Sequence, residues 1–364
     1  MKFYTLNVIR ALAALSVFAT HFDQQFPVGA HGALFCLVHY FDAAFMALFG
    51  ANHGEHPGVV IFIVLSGFCI HLPNARHPAA VNRPRFWPQY FTRRLVRIFP
   101  VYLAGCVMGF LYVVVTSGQS LALLPHALLY DIGIILPMGF FADRMPLGNT
   151  ILTTVIVEMC LYLFYPVLLL LKRISFWLPA VFAFALYGVN LLFLRHGWDP
   201  AWVSRNFYSF LPLWVMGLYA VELCFNPRRP PPVLLRLLRP RAAPLALAAL
   251  YVLYLLSGFW LSKGAHLIKT PLFGFLIAWS LFLLIQAEIK QPARFRRLSA
   301  FNLLADSSYS LYAFHFPLIL TLFALSFGDY SVFFGTLAIV YLLYLLVERP
   351  SHELSKRLAK RLTA

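Results

Sequence analysis

Two polar side chains interrupt the first apolar segment of the sequence, 6–22 (LNVIRALAALSVFATHF). Arg10 and His21 stand eleven positions apart, which in an α-helix corresponds to three turns plus about 20° and to about 16 Å along the axis. They therefore share one helical face, and Asn7 precedes Arg10 by one turn. Taken singly, Arg10 suits a headgroup anchor and His21 an ordinary interfacial residue. Together on one stripe they favour a polar channel, because charged groups inside a membrane span are costly.

A basic cluster opens the third apolar segment, at 90–103 (YFTRRLVRIFPVYL). Arg93 and Arg97 lie four residues apart on one helical face, and Arg94 follows Arg93 directly. Guanidinium groups bind phosphate through paired hydrogen bonds, so the cluster predicts a site for a phosphorylated ligand on the cytoplasmic side. The alternative is an anchor that fixes the orientation of the segment in the membrane.

A small-residue pair breaks the second apolar segment, 58–72 (GVVIFIVLSGFCIHL). Ser66 and Gly67 permit a close backbone approach, either to a ligand or to a neighbouring helix as a packing notch. His71, near the inner end of the segment, is expected to be an interface residue rather than a ligand.

An acidic residue lies inside the fourth apolar segment, 155–169 (VIVEMCLYLFYPVLL). Glu158 is about two turns from the outer end, and Tyr162 follows one turn later. A carboxylate at this depth is a functional candidate by default, with a structural ion pair as the alternative.

Hydroxyl and imidazole groups are concentrated in the ninth apolar segment, at 306–320 (DSSYSLYAFHFPLIL). They suit the wall of a polar cavity, although serine and tyrosine also join helices to each other; they are Asp306, Ser308, Ser310, Tyr312 and His315. Pro317 is expected to kink this segment. The pair Glu348-Arg349, at the inner end of the last segment, is predicted to be a structural cap.

The composition shows which elements must position these residues. The chain has 364 residues, of which 61% are hydrophobic and 12% charged, against about 25% charged in a soluble domain. Its mean hydropathy is +0.77. The apolar residues form continuous blocks near the 20-residue length that crosses a bilayer. Because these blocks do not alternate, a β-barrel is excluded and an all-α membrane protein is predicted.

The apolar blocks predict a bundle of about ten transmembrane helices, at 4–22, 57–73, 91–115, 150–171, 176–194, 207–225, 243–261, 267–287, 301–326 and 330–348. Lysine and arginine concentrate in alternate loops, which places both chain ends in the cytoplasm. The net charge of +16 is therefore explained by topology and not by nucleic acid.

Four further stretches complete the organisation. Apolar stretches 33–50 and 121–141 are placed on the outer face as interfacial or re-entrant helices. One of them as a span would invert the later loops, and both as spans would place the arginines of 76–97 outside. The Pro/Arg-rich stretch 226–244 is expected to be a cytoplasmic linker, and 349–364 a basic cytoplasmic tail. No internal repeat is visible, so an inverted-repeat transporter gains no support, and the whole chain is treated as one transmembrane domain.

Taken in order, these motifs resemble the acyltransferase 3 family of polytopic membrane enzymes. The resemblance covers residues 6 to about 352 and rests on Arg10-x10-His21, FIVLSGF (62–68), RRLVRIFPVYL (93–103), SSYSLYAFHFPL (307–318) and ERP (348–350). The chain departs from the family at two positions. Asn7 replaces a usual aspartate, and Thr153-Thr154-Val155 replaces a Trp-Ser-Leu before Glu158, which would fit a different acceptor pocket.

The resemblance implies a multi-pass enzyme of the bacterial inner membrane, without a fused hydrolase-like domain. It would move an acyl group, most often acetyl, from cytoplasmic acyl-CoA to a hydroxyl of an extracytoplasmic glycan or lipid-linked saccharide. Acyl-CoA would be a substrate, and no permanently bound cofactor or metal is expected. The oligomeric state stays open. The alternative class is a transporter or flippase, since embedded Arg, His and Glu also suit proton relays.

The resemblance also implies that Arg10 and His21 are the functional pair. The chemistry of the residues suggests the other roles. His21 would be the general base because imidazole titrates near neutral pH, and Glu158 would orient it. The donor side would comprise Arg93, Arg94, Arg97 and Ser66, and the acceptor cavity Asn7, Tyr162, Ser310, Tyr312 and His315. A further polar group on the outer face, with spacing too irregular to favour a metal site, comprises His31, His39, His53, His56, Asp42 and Glu55.

Overall fold

The computed structural model describes residues 3–26, 32–50, 55–140, 145–198, 200–226, 243–260 and 266–362. It is 88% helical, and no strand occurs within those ranges. Among the described residues, eight helices are long and apolar enough to cross a membrane. The predicted all-α membrane fold is therefore confirmed.

The α-helices are numbered here in chain order. They are α1 (Tyr4–Gln25), α2 (Ala33–Phe49), α3 (Pro57–Arg76), α4 (Phe86–Ser117), α5 (Leu124–Gly133), α6 (Ile135–Phe140), α7 (Leu152–Ile174), α8 (Leu178–Arg195), α9 (Pro200–Arg205), α10 (Phe207–Phe225), α11 (Ala243–Trp260), α12 (His266–Lys290), α13 (Pro292–Phe295), α14 (Asn302–Asp306), α15 (Ser308–Ala324), α16 (Asp329–Leu343) and α17 (Arg349–Arg361). A π-helical segment, Tyr344–Glu348, joins the last two.

Eight of the ten predicted spans coincide with the helices that meet the length and hydropathy criteria. The other two, 243–261 and 301–326, coincide with shorter apolar helices, α11 and α15. The two stretches predicted for the outer face are also helical, in α2 and α5. Most of the predicted linker, 227–242, lies outside the described residues.

The chain divides into two compact units. The first unit comprises Met1–Ala13, Met46–Val81 and Leu163–Asn302. Its centre is the packing of α3 against α10, where glycine allows backbone to approach backbone. A Cβ on Gly67 would lie 1.9 Å from the carbonyl oxygen of Trp214, and one on Gly217 would lie 2.0 Å from that of Val64. The packing interpretation of Gly67 is therefore confirmed.

The second unit comprises Ala14–Phe45, Asn82–Tyr162 and Leu303–Ala364. In it, α15 packs against α4 and α16, while α17 packs along α4. The side-chain amide of Asn149 donates to the carbonyls of Gly105 (3.1 Å) and Ala313 (2.9 Å), which joins the start of α7 to α4 and α15. The hydroxyl of Tyr102 donates to the carbonyl of Asp131 at 2.7 Å and holds α5 on α4.

Two sequence-based boundaries need correction. The helix of the last predicted span does not end at the Glu348-Arg349 pair, because the chain stays helical to Arg361. The tail from 349 onward is an amphipathic helix with a buried stripe of Ser351, Ser355 and Ala359. The ninth segment also begins later than predicted, at Ser308, so Asp306 belongs to the separate short helix α14.

Candidate active site

His21 and His315 form a hydrogen-bonded pair in the second unit. His21 Nδ1 lies 3.1 Å from His315 Nε2, and the side chain of His315 has no solvent exposure. The two histidines come from α1 and α15. Two protonated imidazoles would direct N–H groups at each other, so the pair holds at least one neutral ring.

The surrounding carbonyls determine where the protons sit. His315 Nδ1 lies 2.7 Å from the Leu311 carbonyl and 3.0 Å from the Tyr312 carbonyl. Carbonyls only accept, so we assign the N–H to Nδ1 and the lone pair of neutral His315 to Nε2. His21 Nδ1, which lies 3.0 Å from the Val17 carbonyl, then donates to His315. Its Nε2 keeps the lone pair that a general base needs.

Aromatic rings and carboxylates surround this pair. The ring of Phe316 meets the His21 ring edge-on at a centroid distance of 5.0 Å. On the side of α2, the hydroxyl of Thr20 donates to Asp42, and His39 Nδ1 lies 3.0 Å from Asp23 Oδ1. Burial raises the pKa of Asp42 above its ordinary value. The helix predicted for the outer face thus brings polar groups to the end of α1 that carries His21.

Two other members of the predicted outer polar group, His56 and Glu55, have partners within the first unit. His56 accepts from the backbone N–H of Gly58 at 3.0 Å and so caps α3. Glu55 pairs with Arg205 at 3.0 Å, and both residues belong to the first unit. His31 and His53 lie outside the described residues.

A second polar cluster of the same unit contains Glu158 and Arg94. The hydroxyl of Tyr162 donates to Glu158, and the hydroxyl of Tyr90 donates to the Tyr162 carbonyl at 3.1 Å. The Arg94 guanidinium lies 6.0 Å from the ring centroids of both tyrosines. The structure therefore joins Glu158 to the basic segment of α4. Its hydrogen bond goes to Tyr162, whereas those of His21 go to Val17 and His315.

Two donors in this cluster are buried without an acceptor in the part of the chain that the structure describes. They are the Nε of Arg94 and the hydroxyl of Tyr309. The charges of Glu158, Glu348 and Arg97 all act on Tyr309. No carboxylate among the described residues pairs with Arg94 or Arg97. Buried donors are normally satisfied, so these groups are set up for a ligand with acceptor oxygens.

The polar residues of the ninth segment and the Glu348-Arg349 pair have different roles. Ser310 donates through its N–H (2.9 Å) and its hydroxyl (2.6 Å) to Glu348, which is buried. Glu348 therefore caps the first turn of α15, because the π-helical segment turns it inward. Glu348 therefore has the predicted role of a structural cap. Arg349, its predicted partner in that cap, is exposed and lies 3.6 Å from Glu353 instead. Tyr312 is buried, with its ring centroid 6.4 Å from that of His315.

Three candidates belong to the first unit. Arg10 donates to the sulfur of Cys69 at 3.5 Å, and it has no carboxylate partner within the described ranges. Asn7 donates to the side chain of Asn302 at 2.8 Å. Ser66 accepts from the indole N–H of Trp214 at 3.2 Å, so the structure gives its hydroxyl a packing contact in the helix crossing.

The sequence analysis missed a buried ionic cluster in the first unit. His71 is fully buried, with Nε2 2.5 Å from Glu222 Oε1 and Nδ1 2.8 Å from the hydroxyl of Tyr165. The prediction of an interface residue was therefore wrong. Lys172 also pairs with Glu222. The available signal was Glu222 itself, the single charged residue inside segment 207–225.

The comparisons with known proteins give one match. The model of the acyltransferase 3 family, described as an acyltransferase domain, matches residues 3–348. No curated protein and no solved structure matches the chain.

Proposed function

Because the chain belongs to the acyltransferase 3 family, we propose that it moves an acyl group, most often acetyl, from cytoplasmic acyl-CoA to a hydroxyl of an extracytoplasmic glycan or lipid-linked saccharide. The site would work in the bacterial inner membrane. The observation that carries the proposal is the His21–His315 pair, which leaves Nε2 of His21 as a base inside a membrane enzyme of this family.

The donor end of the proposal rests on the cluster around Arg94. Coenzyme A carries phosphates, and guanidinium groups without carboxylate partners bind phosphate strongly. Arg94 and Arg97 are half-buried and Arg93 is exposed, which suits a phosphate group that arrives from the aqueous side. The hydroxyl of Tyr309, which has no acceptor in the described part of the chain, adds a neutral donor near Glu158. We place Glu158 in this donor group through Tyr162. Arg10 remains a predicted further cation.

The chemical step follows from the proton positions. A sugar hydroxyl is a weak nucleophile until its proton is removed, so Nε2 of His21 takes that proton as the oxygen attacks the thioester carbonyl. The C–O bond forms and the C–S bond breaks. The proton then passes from His21 to the departing sulfur, which leaves as the free thiol of coenzyme A. His315 accepts from Nδ1 of His21 throughout and stabilises the imidazolium, as an acceptor behind a catalytic histidine does.

The test uses purified protein in detergent with acetyl-CoA and an extracted envelope glycan. Thiol release and the mass of the glycan are measured together. We expect His21→Ala to lower the turnover about 10²–10⁴-fold. His196→Ala is the matched control, because His196 is exposed at the end of α8.

Each outcome separates the candidate classes. Thiol release with no gain of acyl mass on the glycan would contradict the glycan acceptor. Wild-type turnover in His21→Ala would remove His21 from the mechanism. Transport of a lipid-linked sugar without any thiol release would favour the flippase instead.

A further inference from the structure

A cavity of about 270 Å³ lies within the first unit, between α8, α10 and α12. Each of the three helices contributes aromatic or aliphatic side chains to its wall. They include Phe176 and Trp177 directly before α8, Ala180 from α8, Tyr219 from α10, and Ala278 and Phe282 from α12.

The cavity is continuous with the lipid-facing surface of the protein. All three helices meet the criteria for membrane spans. Two wall residues on these spans, Phe184 and Phe275, are 45% and 39% exposed. In a bilayer, exposed aromatic side chains on spans face acyl chains and not water. The molecule available at the mouth of the cavity is therefore a membrane lipid.

The chemistry of the wall selects an alkyl chain over a polar ligand. The one wall hydroxyl, on Tyr219, already donates to the Phe176 carbonyl. The indole N–H of Trp279, another wall residue, is a single buried donor without an acceptor among the described residues. A sugar or phosphate has several polar groups, and it would lose their hydration there without equivalent hydrogen bonds. An alkyl chain loses nothing of this kind and gains dispersion contacts with the rings.

One end of the cavity also suits a lipid headgroup. Arg173, in the last turn of α7, is exposed and lies three residues before Phe176. Trp177 has the amphipathic indole that collects at membrane interfaces. A cation and an interfacial tryptophan at the same end complement a phosphate and its ester region.

We propose that this cavity binds one acyl chain of a membrane phospholipid, with the lipid phosphate at the Arg173 end. The site needs neither acyl donor nor acceptor, so it is independent of the proposed transfer reaction. It makes the first unit a specific lipid-binding element of the enzyme.

The test is native mass spectrometry of the full chain in mild detergent, titrated with dioleoyl phosphatidylglycerol. We expect wild-type protein to retain one phospholipid per chain. Ala180→Phe fills the cavity from α8 and should lower the retained fraction about tenfold, equivalent to about 1.4 kcal/mol of affinity. Ala278→Leu fills it less and should lower the fraction less. Dioleoylglycerol, which lacks the phosphate, should bind more weakly than the phospholipid.

Leu284→Phe is the matched control, because Leu284 lies on α12, is 40% exposed and is not part of the cavity wall. Its retained fraction should equal that of the wild type. Equal retention in Ala180→Phe, Ala278→Leu and wild type would overturn the proposal. An equal loss in all three variants would overturn it too, because the lipid would then belong to the general bilayer contact. Normal unfolding temperatures of the variants would exclude misfolding as the cause.

Discussion

The Glu222 cluster of the first unit and the Arg94 cluster of the second unit differ in how their charges are paired. In the first unit, Lys172 and His71 both meet Glu222. In the second unit, the arginines of α4 have no carboxylate partner among the described residues. In the Arg94 cluster, a tyrosine hydroxyl and an arginine Nε are buried without an acceptor in the described part of the chain. Both clusters place ionisable groups in apolar surroundings, but only the Glu222 cluster neutralises them from within.

The difference separates structural charge from charge available to a ligand. A buried ion pair with complete hydrogen bonding contributes little net stability, but removal of one partner is costly. A buried donor without an acceptor costs free energy until something binds it. By this criterion the Glu222 cluster holds helices together, and the Arg94 cluster is the proposed ligand site. The comparison yields four predictions, in order of decreasing effect.

Removal of the central carboxylate should have the largest effect. Glu222→Ala leaves Lys172 and His71 buried without their shared partner, so we expect a loss of about 3–5 kcal/mol in the free energy of unfolding. Unfolding in mixed detergent micelles measures it. The control is Glu353→Ala, which removes an exposed pair with Arg349 and should cost about 0–1 kcal/mol. A Glu222→Ala protein with the wild-type free energy of unfolding but without transfer activity would contradict the structural role of the Glu222 cluster.

Removal of the Arg94 guanidinium should weaken the binding of acetyl-CoA without unfolding the protein. Hydrogen bonds to charged groups contribute about 1.5–3 kcal/mol each, so Arg94→Ala should raise the Kd for acetyl-CoA about 10–100-fold. The measurement is isothermal titration with a non-hydrolysable thioether analogue. Arg94→Lys should restore only part of the affinity, because lysine lacks the planar fork. An unchanged Kd would indicate that the arginines of α4 only fix the orientation of this helix in the membrane.

The partner of the base should show an intermediate effect. His315→Leu removes the acceptor for Nδ1 of His21, and we expect kcat to fall about tenfold with KM little changed. His315→Gln keeps a side-chain acceptor and should recover part of kcat. The pH profile of kcat should move in the leucine variant because the imidazolium of His21 loses its support. Equal kcat and pH profiles in all three proteins would make His315 a packing residue.

The smallest effect concerns Asp42, on α2. Burial raises its pKa above the ordinary value of 3.8, so the folded state binds more protons than the unfolded state above that pH. The free energy of unfolding therefore falls as pH rises above 3.8, because Asp42 ionises in the unfolded chain before it ionises in the folded one. Well below that pH, Asp42 is protonated in both states and has no effect on stability. Asp42→Asn should stabilise the protein at pH 7, by about 1 kcal/mol or less, and make no difference at pH 3. Thermal unfolding at both pH values checks this, and destabilisation at pH 7 would contradict it.

The sequence by itself predicted the helices and their membrane setting. Apolar runs and helical periodicity depend on neighbours in the chain, so the spans and the shared face of Arg10 and His21 could be derived locally. The family could also be identified from the ordered motifs, and the match over residues 3–348 confirms it. Single charged residues in apolar runs, such as Glu158, indicated where polar clusters would form.

The tertiary structure alone determined the partner of each polar group. His21 and His315 are separated by 294 positions and His71 and Glu222 by 151, and no local pattern relates such distant side chains. Helix packing brought Ser310 to Glu348, paired Ser66 with Trp214 and left Arg94 without a carboxylate partner among the described residues. The physical reason is that hydropathy determines whether a segment is buried, whereas hydrogen-bond partners depend on how helices cross and rotate.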